Sequence, residues 1–147
     1  MSSVKGVNYT NITADPIVKV DSEVAGGKMR VSYDSYEAAS LASRSDITIG
    51  RVPTNATIMD VVLKCDALGG SSTLIVGDSG DDNRYLAAVG TWNAAGQVQS
   101  MLGGSTAANT AMTGLGYRTT AETDIIITTG GATISGSIHV WIMYTVE

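Results

Sequence analysis

Short runs of alternating apolar and polar residues, separated by turns, dominate the chain from position 46 onward. Ile47 and Ile49 alternate with polar positions, and Val52 stands just before Pro53. In Ile58-Met59-Asp60-Val61-Val62-Leu63-Lys64-Cys65-Asp66, strict alternation puts Met59, Val61, Leu63 and Cys65 on one face. Ile58, Asp60, Val62, Lys64 and Asp66 then point to the other, mostly wet face, because successive strand side chains alternate. Gly69-Gly70-Ser71-Ser72 turns the chain into Thr73-Leu74-Ile75-Val76, and the acidic run Gly77-Asp78-Ser79-Gly80-Asp81-Asp82-Asn83 turns it into Arg84-Tyr85-Leu86-Ala87-Ala88. Between positions 92 and 116 only Gln97-Val98-Gln99-Ser100-Met101 reads as a strand, and a weak one. Such a long unpatterned stretch in a compact domain is usually functional or mobile.

Two strong strands close the chain, over residues 123–129 and 135–146, with Gly130-Gly131 between them. Gly-Gly between β-rich runs is a hairpin signal, so these two strands are expected to pair antiparallel. In the last strand Ile138, Val140, Ile142, Tyr144 and Val146 face one way, and Ser137, His139, Trp141, Met143 and Thr145 the other. That second face is amphipathic rather than polar. It calls for cover by another element or another subunit. Regular turns bounding short strands predict an all-β, antiparallel sandwich or barrel.

The first forty residues have a different texture. Asp15-Pro16 and Gly26-Gly27 break long elements, and the apolar stretches are short: Ile17, Val18 and Val20, then Met29 and Val31. Residues 33–43 fit either a helix or a polar crossing between strands. The segment as a whole reads as edge strands and loops, or as an extended arm packing on a neighbouring subunit. The expected organisation is an arm or edge segment over residues 1–40 and a sandwich domain over 41–147.

Composition supports the class. Among 147 residues, 44% are hydrophobic and 16% charged, with 17 glycines, 2 prolines and no phenylalanine. Val, Ile and Thr are abundant, and branched side chains suit a pleated, half-buried surface. The length suffices for one domain with a real core. A net charge of −5, with nine basic residues scattered along the chain, disfavours a nucleic-acid partner, which requires clustered Lys and Arg. No stretch approaches a membrane span and the N-terminus lacks the apolar core of a signal peptide, so no membrane partner is expected and synthesis in a cytoplasm follows. On that expectation the sequons at Asn8, Asn11 and Asn55 carry no glycan.

Candidate chemistry is sparse. Nucleophilic catalysis by Ser or Cys usually requires a base, most often His. His139 is the one histidine, and its place deep in a strand pattern suits a hydrogen-bonded structural role. Cys65 is the one cysteine; within an apolar strand it reads as a small buried hydrophobe. One Cys and one His serve zinc poorly, and no phosphate-binding glycine loop precedes a helix. The acidic run with Asp78, Asp81, Asp82 and Asn83 is dense in oxygen ligands of the sort calcium takes. Asx-type bonding to the local backbone is the favoured account of it, with Arg84 pinning the loop by an ion pair. No enzyme, no cofactor and no metal are expected.

Several segments carry a resemblance: Ile49-Gly50-Arg51-Val52-Pro53, the strand from Ala56-Thr57-Ile58 through Asp66-Ala67-Leu68-Gly69-Gly70, Thr73-Leu74-Ile75-Val76-Gly77-Asp78, Asp82-Asn83-Arg84-Tyr85-Leu86, and the closing run that starts Thr119-Thr120-Ala121-Glu122. Over residues 46–146 the chain resembles small tailed-phage virion structural proteins of the capsid decoration (cement) or head-fibre type. It departs from stronger members in having Val52 where Leu is common before the proline. The resemblance implies a jelly-roll β-sandwich, often trimeric, on the outside of a phage head, where such proteins clamp neighbouring capsomers of the major capsid protein. The expected location is the capsid exterior of a virion. The other function it leaves open is a head-fibre or tail-associated module that binds a receptor or carbohydrate, with Trp92, Asn93 and the acidic turn as its contributors.

On this reading Tyr9, Ile12, Ile17 and Val18 supply arm contacts to the capsid or a neighbour. Trp92, His139, Trp141 and Met143 supply the subunit interface, since aromatic residues and Met are enriched at interface cores. A plain core role for Trp141 is equally compatible with the pattern.

Overall fold

Among the described residues the strong β texture becomes eight strands. The computed structural model describes residues 4–5, 7–19, 27–89, 92–103 and 112–146. A six-residue helix, α1 (Val7–Ile12), comes first. The strands are β1 (Met29–Leu41), β2 (Asp46–Val52), β3 (Ala56–Cys65), β4 (Thr73–Asp78), β5 (Asp81–Val89), β6 (Gln97–Ser100), β7 (Thr123–Gly130) and β8 (Ile134–Val146). They form two four-stranded sheets, ordered β1-β8-β3-β6 and β2-β7-β4-β5, and every pairing is antiparallel.

Only β4 and β5 are neighbours both in sequence and within a sheet; every other consecutive pair crosses from one sheet to the other. Eight strands wound in this way make a jelly roll. The all-β, antiparallel, jelly-roll sandwich expected from the sequence is the observed fold.

The crossings explain one wrong expectation. β7 and β8 do not form a hairpin. β7 pairs with β2 and β4, whereas β8 pairs with β1 and β3. Gly130-Gly131 carries the chain between sheets, and Gly131 has φ of 76°. A Cβ there would lie 1.9 Å from the Ser71 carbonyl oxygen, so close approach of the β3–β4 turn is what requires glycine.

The core lies between the sheets. Ile47, Ile49 and Val52 of β2, Val61, Leu63 and Cys65 of β3, Leu74 and Val76 of β4, Ile125 and Ile127 of β7, and Ile138, Val140 and Ile142 of β8 are all buried. Strict alternation fails once in β3. The register against β8 shifts between Ile58 and Asp60, a bulge that gives β3 an extra residue. Ile58 therefore points inward with Val61, against the face expected for it, and Met59 is only half-buried.

Residues 29–41, grouped with the arm by the sequence texture, form the outer strand of the first sheet. β1 runs antiparallel to β8 from Met29 opposite Thr145 to Leu41 opposite Ile134. Of its thirteen residues only Ala38 is buried. A strand at the rim, wet on both sides, has no reason to alternate, which is why its sequence reads as irregular.

Candidate functional site: the aromatic face of one sheet

The outward residues of β8 keep their alternation up to the bulge. His139, Trp141 and Met143 point away from the core, between inward-facing Ile138, Val140 and Ile142. Register sets their neighbours. Trp141 lies between Tyr33 of β1 and Val62 of β3, Met143 between Val31 and Asp60, and His139 between Ser35 and Lys64. Directly opposite residues in an antiparallel ladder share a face, so these side chains form one surface.

At its centre is an aromatic group. The Tyr33 ring centroid is 5.2 Å from Trp141 and 6.1 Å from His139, and His139 lies 6.3 Å from Trp141. The Tyr33 hydroxyl and His139 Nδ1 share a hydrogen bond of 2.7 Å. Val31 is 57% and Tyr33 53% exposed, and Met29 and Val98 are open as well. A contiguous apolar surface with aromatic anchors and a wet rim has the composition of an association site.

The outer face of the other sheet carries more polar groups around the half-buried Ile75 and Ile126. Arg51 of β2 bonds Asp124 of β7 and Glu122, and Thr128 donates to Asp46. Among the described residues the exposed aromatic group lies on the first sheet, and the ion pairs of Arg51 lie on the second.

His139, Trp141 and Met143 are thus brought together as the sequence reading grouped them. Trp92 is not with them. It is 0% exposed, packed in the core, and its carbonyl accepts from the Leu68 N–H at 2.7 Å; a side chain enclosed by its own protomer offers no contact to a neighbour, so Trp92 leaves the interface set. Tyr33, Val31 and Val62 belong to the face and went unrecognised. Alternation marked Val62 as outward, but the pairing of β1 with β8 leaves no signal in the sequence. In the arm, Ile17 is 73% exposed and Val18 is open. Tyr9 and Ile12 fall within α1, with their side chains outside the described set.

The acidic turn is organised by Asp78. Its Oδ1 accepts from the Gly80 and Asp81 N–H groups and from Arg84 Nη2, and its Oδ2 from Arg84 Nε at 2.8 Å and from the Tyr85 hydroxyl at 3.0 Å. The Arg84 guanidinium also lies 4.0 Å over the Tyr117 ring. Burial alone raises the Asp78 pKa, but the bonds from Arg84, Gly80 and Tyr85 outweigh it and hold the carboxyl below its ordinary value. Burial, with Asp78 beside it, pushes the Tyr85 phenol upward. This carboxylate is committed to local structure. Among the described residues no cluster of three or more His, Cys, Asp and Glu could hold a metal. His139 has Nδ1 bonded to a phenol, not to a carboxylate of the kind that orients a catalytic imidazole.

No protein-family model and no curated protein matches the chain. Solved structures do. A chain in the capsid asymmetric unit of cyanophage Pam1 is similar with a TM-score of 0.66 and 27% identity, over 82% of this chain and 86% of that one. A chain of the Ralstonia phage GP4 capsid is similar at 0.60 and 20% identity over 82% and 86%. One from the acid-stable capsid of Helicobacter pylori bacteriophage KHP30 is similar at 0.58 and 9% identity over 80% and 87%. The last two share the fold; the first adds recognisable sequence likeness across most of both chains. What this jelly roll resembles, in three separate particles, is a protein of a phage capsid.

Proposed function

We propose that the chain is a structural protein of a phage virion, and within it a decoration (cement) protein on the outer surface of the head. The observation that carries this is the likeness to a capsid chain at 27% identity over 82% of the sequence. The exposed aromatic face gives that reading a physical means. Copies associate through His139, Trp141, Met143 and Tyr33 around a three-fold axis, burying an apolar surface that is costly to leave in water. The N-terminal segment, with Tyr9, Ile12, Ile17 and Val18, reaches the major capsid protein or a neighbouring subunit. Each contact is weak, and repetition over the shell supplies the avidity. The role is mechanical: subunits of the shell are clamped together, with no catalysis. A carbohydrate site built on Trp92 and the acidic turn gains no support, because Trp92 is enclosed and the Asp78 carboxylate is occupied.

Imaging particles with and without this protein tests the reading. The expected result is added density outside the shell at three-fold or quasi-three-fold positions. Density confined to a fibre or the tail, or unchanged particles, overturns it.

A further inference from the structure

β1 ends its sheet among the described residues, and its thirteen residues give that sheet a long open edge. Register fixes which backbone groups point out of it. The Ser137 carbonyl of β8 accepts from the Asp66 N–H on the β3 side. Alternate β8 residues therefore bond toward β3, and the intervening ones toward β1. Those intervening residues lie opposite Arg30, Ser32, Asp34 and Tyr36. Val31, Tyr33 and Ser35 thus turn their N–H and C=O groups to the open edge. One of these groups is already held by a side chain: the Ser35 N–H donates to Asp34 Oδ1 at 2.8 Å. A charged side chain covering an edge amide is one of the devices that blunt such edges.

We propose that this edge pairs with β1 of a second copy of the chain, antiparallel, about a two-fold axis through Ser32. The charges select the register. With Ser32 opposite Ser32, Arg30 stands opposite the second copy's Asp34, and the symmetry repeats the contact. Val31 and Tyr33 then face each other across the junction, both with edge-directed backbone groups, as ladder hydrogen bonds require. Moving the axis to Arg30 or Asp34 sets like charges opposite one another. Moving it to Tyr33 leaves Arg30 opposite Tyr36; moving it to Val31 leaves Arg30 opposite Ser32 and sets Asp34 opposite Lys28, which lies before β1 begins and outside its ladder. Arg30 is exposed and forms no ion pair among the described residues, so it is available. When Asp34 turns to the second copy's Arg30 it releases the Ser35 N–H to the ladder. Pairing joins the two aromatic faces on one side of a continuous sheet. It uses the strand edge, whereas the proposed three-fold association uses the face, so one chain accommodates both.

The test is the mass of the full-length protein at sedimentation equilibrium. Arg30→Asp and Asp34→Arg each place like charges opposite twice, and each is expected to reduce the mass to half that of the unaltered protein or less. An equimolar mixture of the two variants restores it, because both contacts become complementary in the mixed pair. Ser32→Cys provides a second measurement. Its position lies where facing side chains come closest, so mild oxidation gives a covalent dimer, whereas Thr48→Cys on the other sheet gives none. The proposal is overturned if the single variants keep the full mass, if their mixture stays at the reduced mass, or if Ser32→Cys yields no dimer. Particle binding is scored separately by co-sedimentation with capsids, so failure of self-pairing and failure of the decoration role give different results.

Discussion

Tyr33 and His139 stand 106 positions apart in sequence, yet the phenol hydroxyl and Nδ1 of the imidazole share a 2.7 Å hydrogen bond across the β1–β8 seam. The bond ties the rim strand to its neighbour in the middle of an exposed aromatic face. Such a pair stabilises an isolated protomer modestly, since water competes for both groups. Its larger consequence is to hold three rings in a fixed arrangement, which reduces the ordering cost when a partner covers them.

Association and folding are therefore separable on this face. Val31→Ser removes apolar surface from a position that is 57% exposed, and exposed substitutions change stability by roughly 0.5 kcal/mol or less. The variant is expected to melt within a few degrees of the unaltered protein while its self-association weakens several-fold, as measured by sedimentation across a dilution series. Equal loss of both would mean that the face is structural only.

The Asp78–Arg84–Tyr85 group predicts a pH dependence of definite sign. The folded-state pKa of Asp78 is lowered, so its contribution is fully present above the unfolded value, about 3.9, and is lost as pH falls through the lower folded value. Asp78→Asn keeps the shape but removes the charge that Arg84 and Tyr85 engage. It is expected to cost about 1–3 kcal/mol at neutral pH. Thermal melting at a series of pH values checks this: the gap between the two proteins should stay constant down to about pH 4 and narrow below it.

Cys65 is 2% exposed, and burial, with Asp66 as the lesser cause, pushes its thiol pKa to about 12. The thiolate is the reactive species. At pH 8 the folded protein should consume no thiol reagent on the timescale that fully labels it in denaturant. Fast labelling of the native protein would place Cys65 outside the core.

How far the sequence revealed all this depended on where each strand meets water. β8 has one dry face, so Ile138, Val140 and Ile142 announce themselves by period, whereas β4 and β7 read as unbroken apolar runs, Leu74-Ile75-Val76 and Ile125-Ile126-Ile127, in which no face is marked. The same period isolated His139, Trp141 and Met143 as an unusual outward set. β1 is wet on both sides, and nothing in Met29-Arg30-Val31-Ser32-Tyr33 distinguishes an edge strand from an arm. Long-range pairing was illegible for a second reason. A jelly roll puts consecutive strands in different sheets, so the neighbour of β8 in space is β1 and not β7. Trp92 misled because an aromatic residue in an unpatterned stretch suits surface and core alike.

Gly131 shows how a turn signal can be right about glycine and wrong about topology. Its φ of 76° already disfavours a side chain, at about 1–3 kcal/mol, and the Ser71 carbonyl 1.9 Å from the Cβ position adds a clash with backbone. Gly131→Ala should therefore destabilise by more than the left-handed backbone alone implies. By contrast, Gly70→Ala meets nothing within 4 Å and should change stability little. Denaturant midpoints for the pair would decide whether the two adjacent turns are packed on each other in this way.

Removal of residues 1–20 separates the arm from the sandwich. Among the described residues all eight strands begin at or after Met29, so the truncated chain retains their sheet pairings and the buried core between them. Its circular dichroism and melting temperature should remain close to those of the full chain. The exposed Ile17 and Val18 go with the deleted segment, and with them the apolar contacts assigned to the arm. If the arm anchors the protein, truncation abolishes co-sedimentation with capsids while self-association through the aromatic face persists. Normal binding by the truncated, folded protein would transfer the anchoring role to the sandwich, where the Tyr33–Trp141–His139 face is the next surface to mutate.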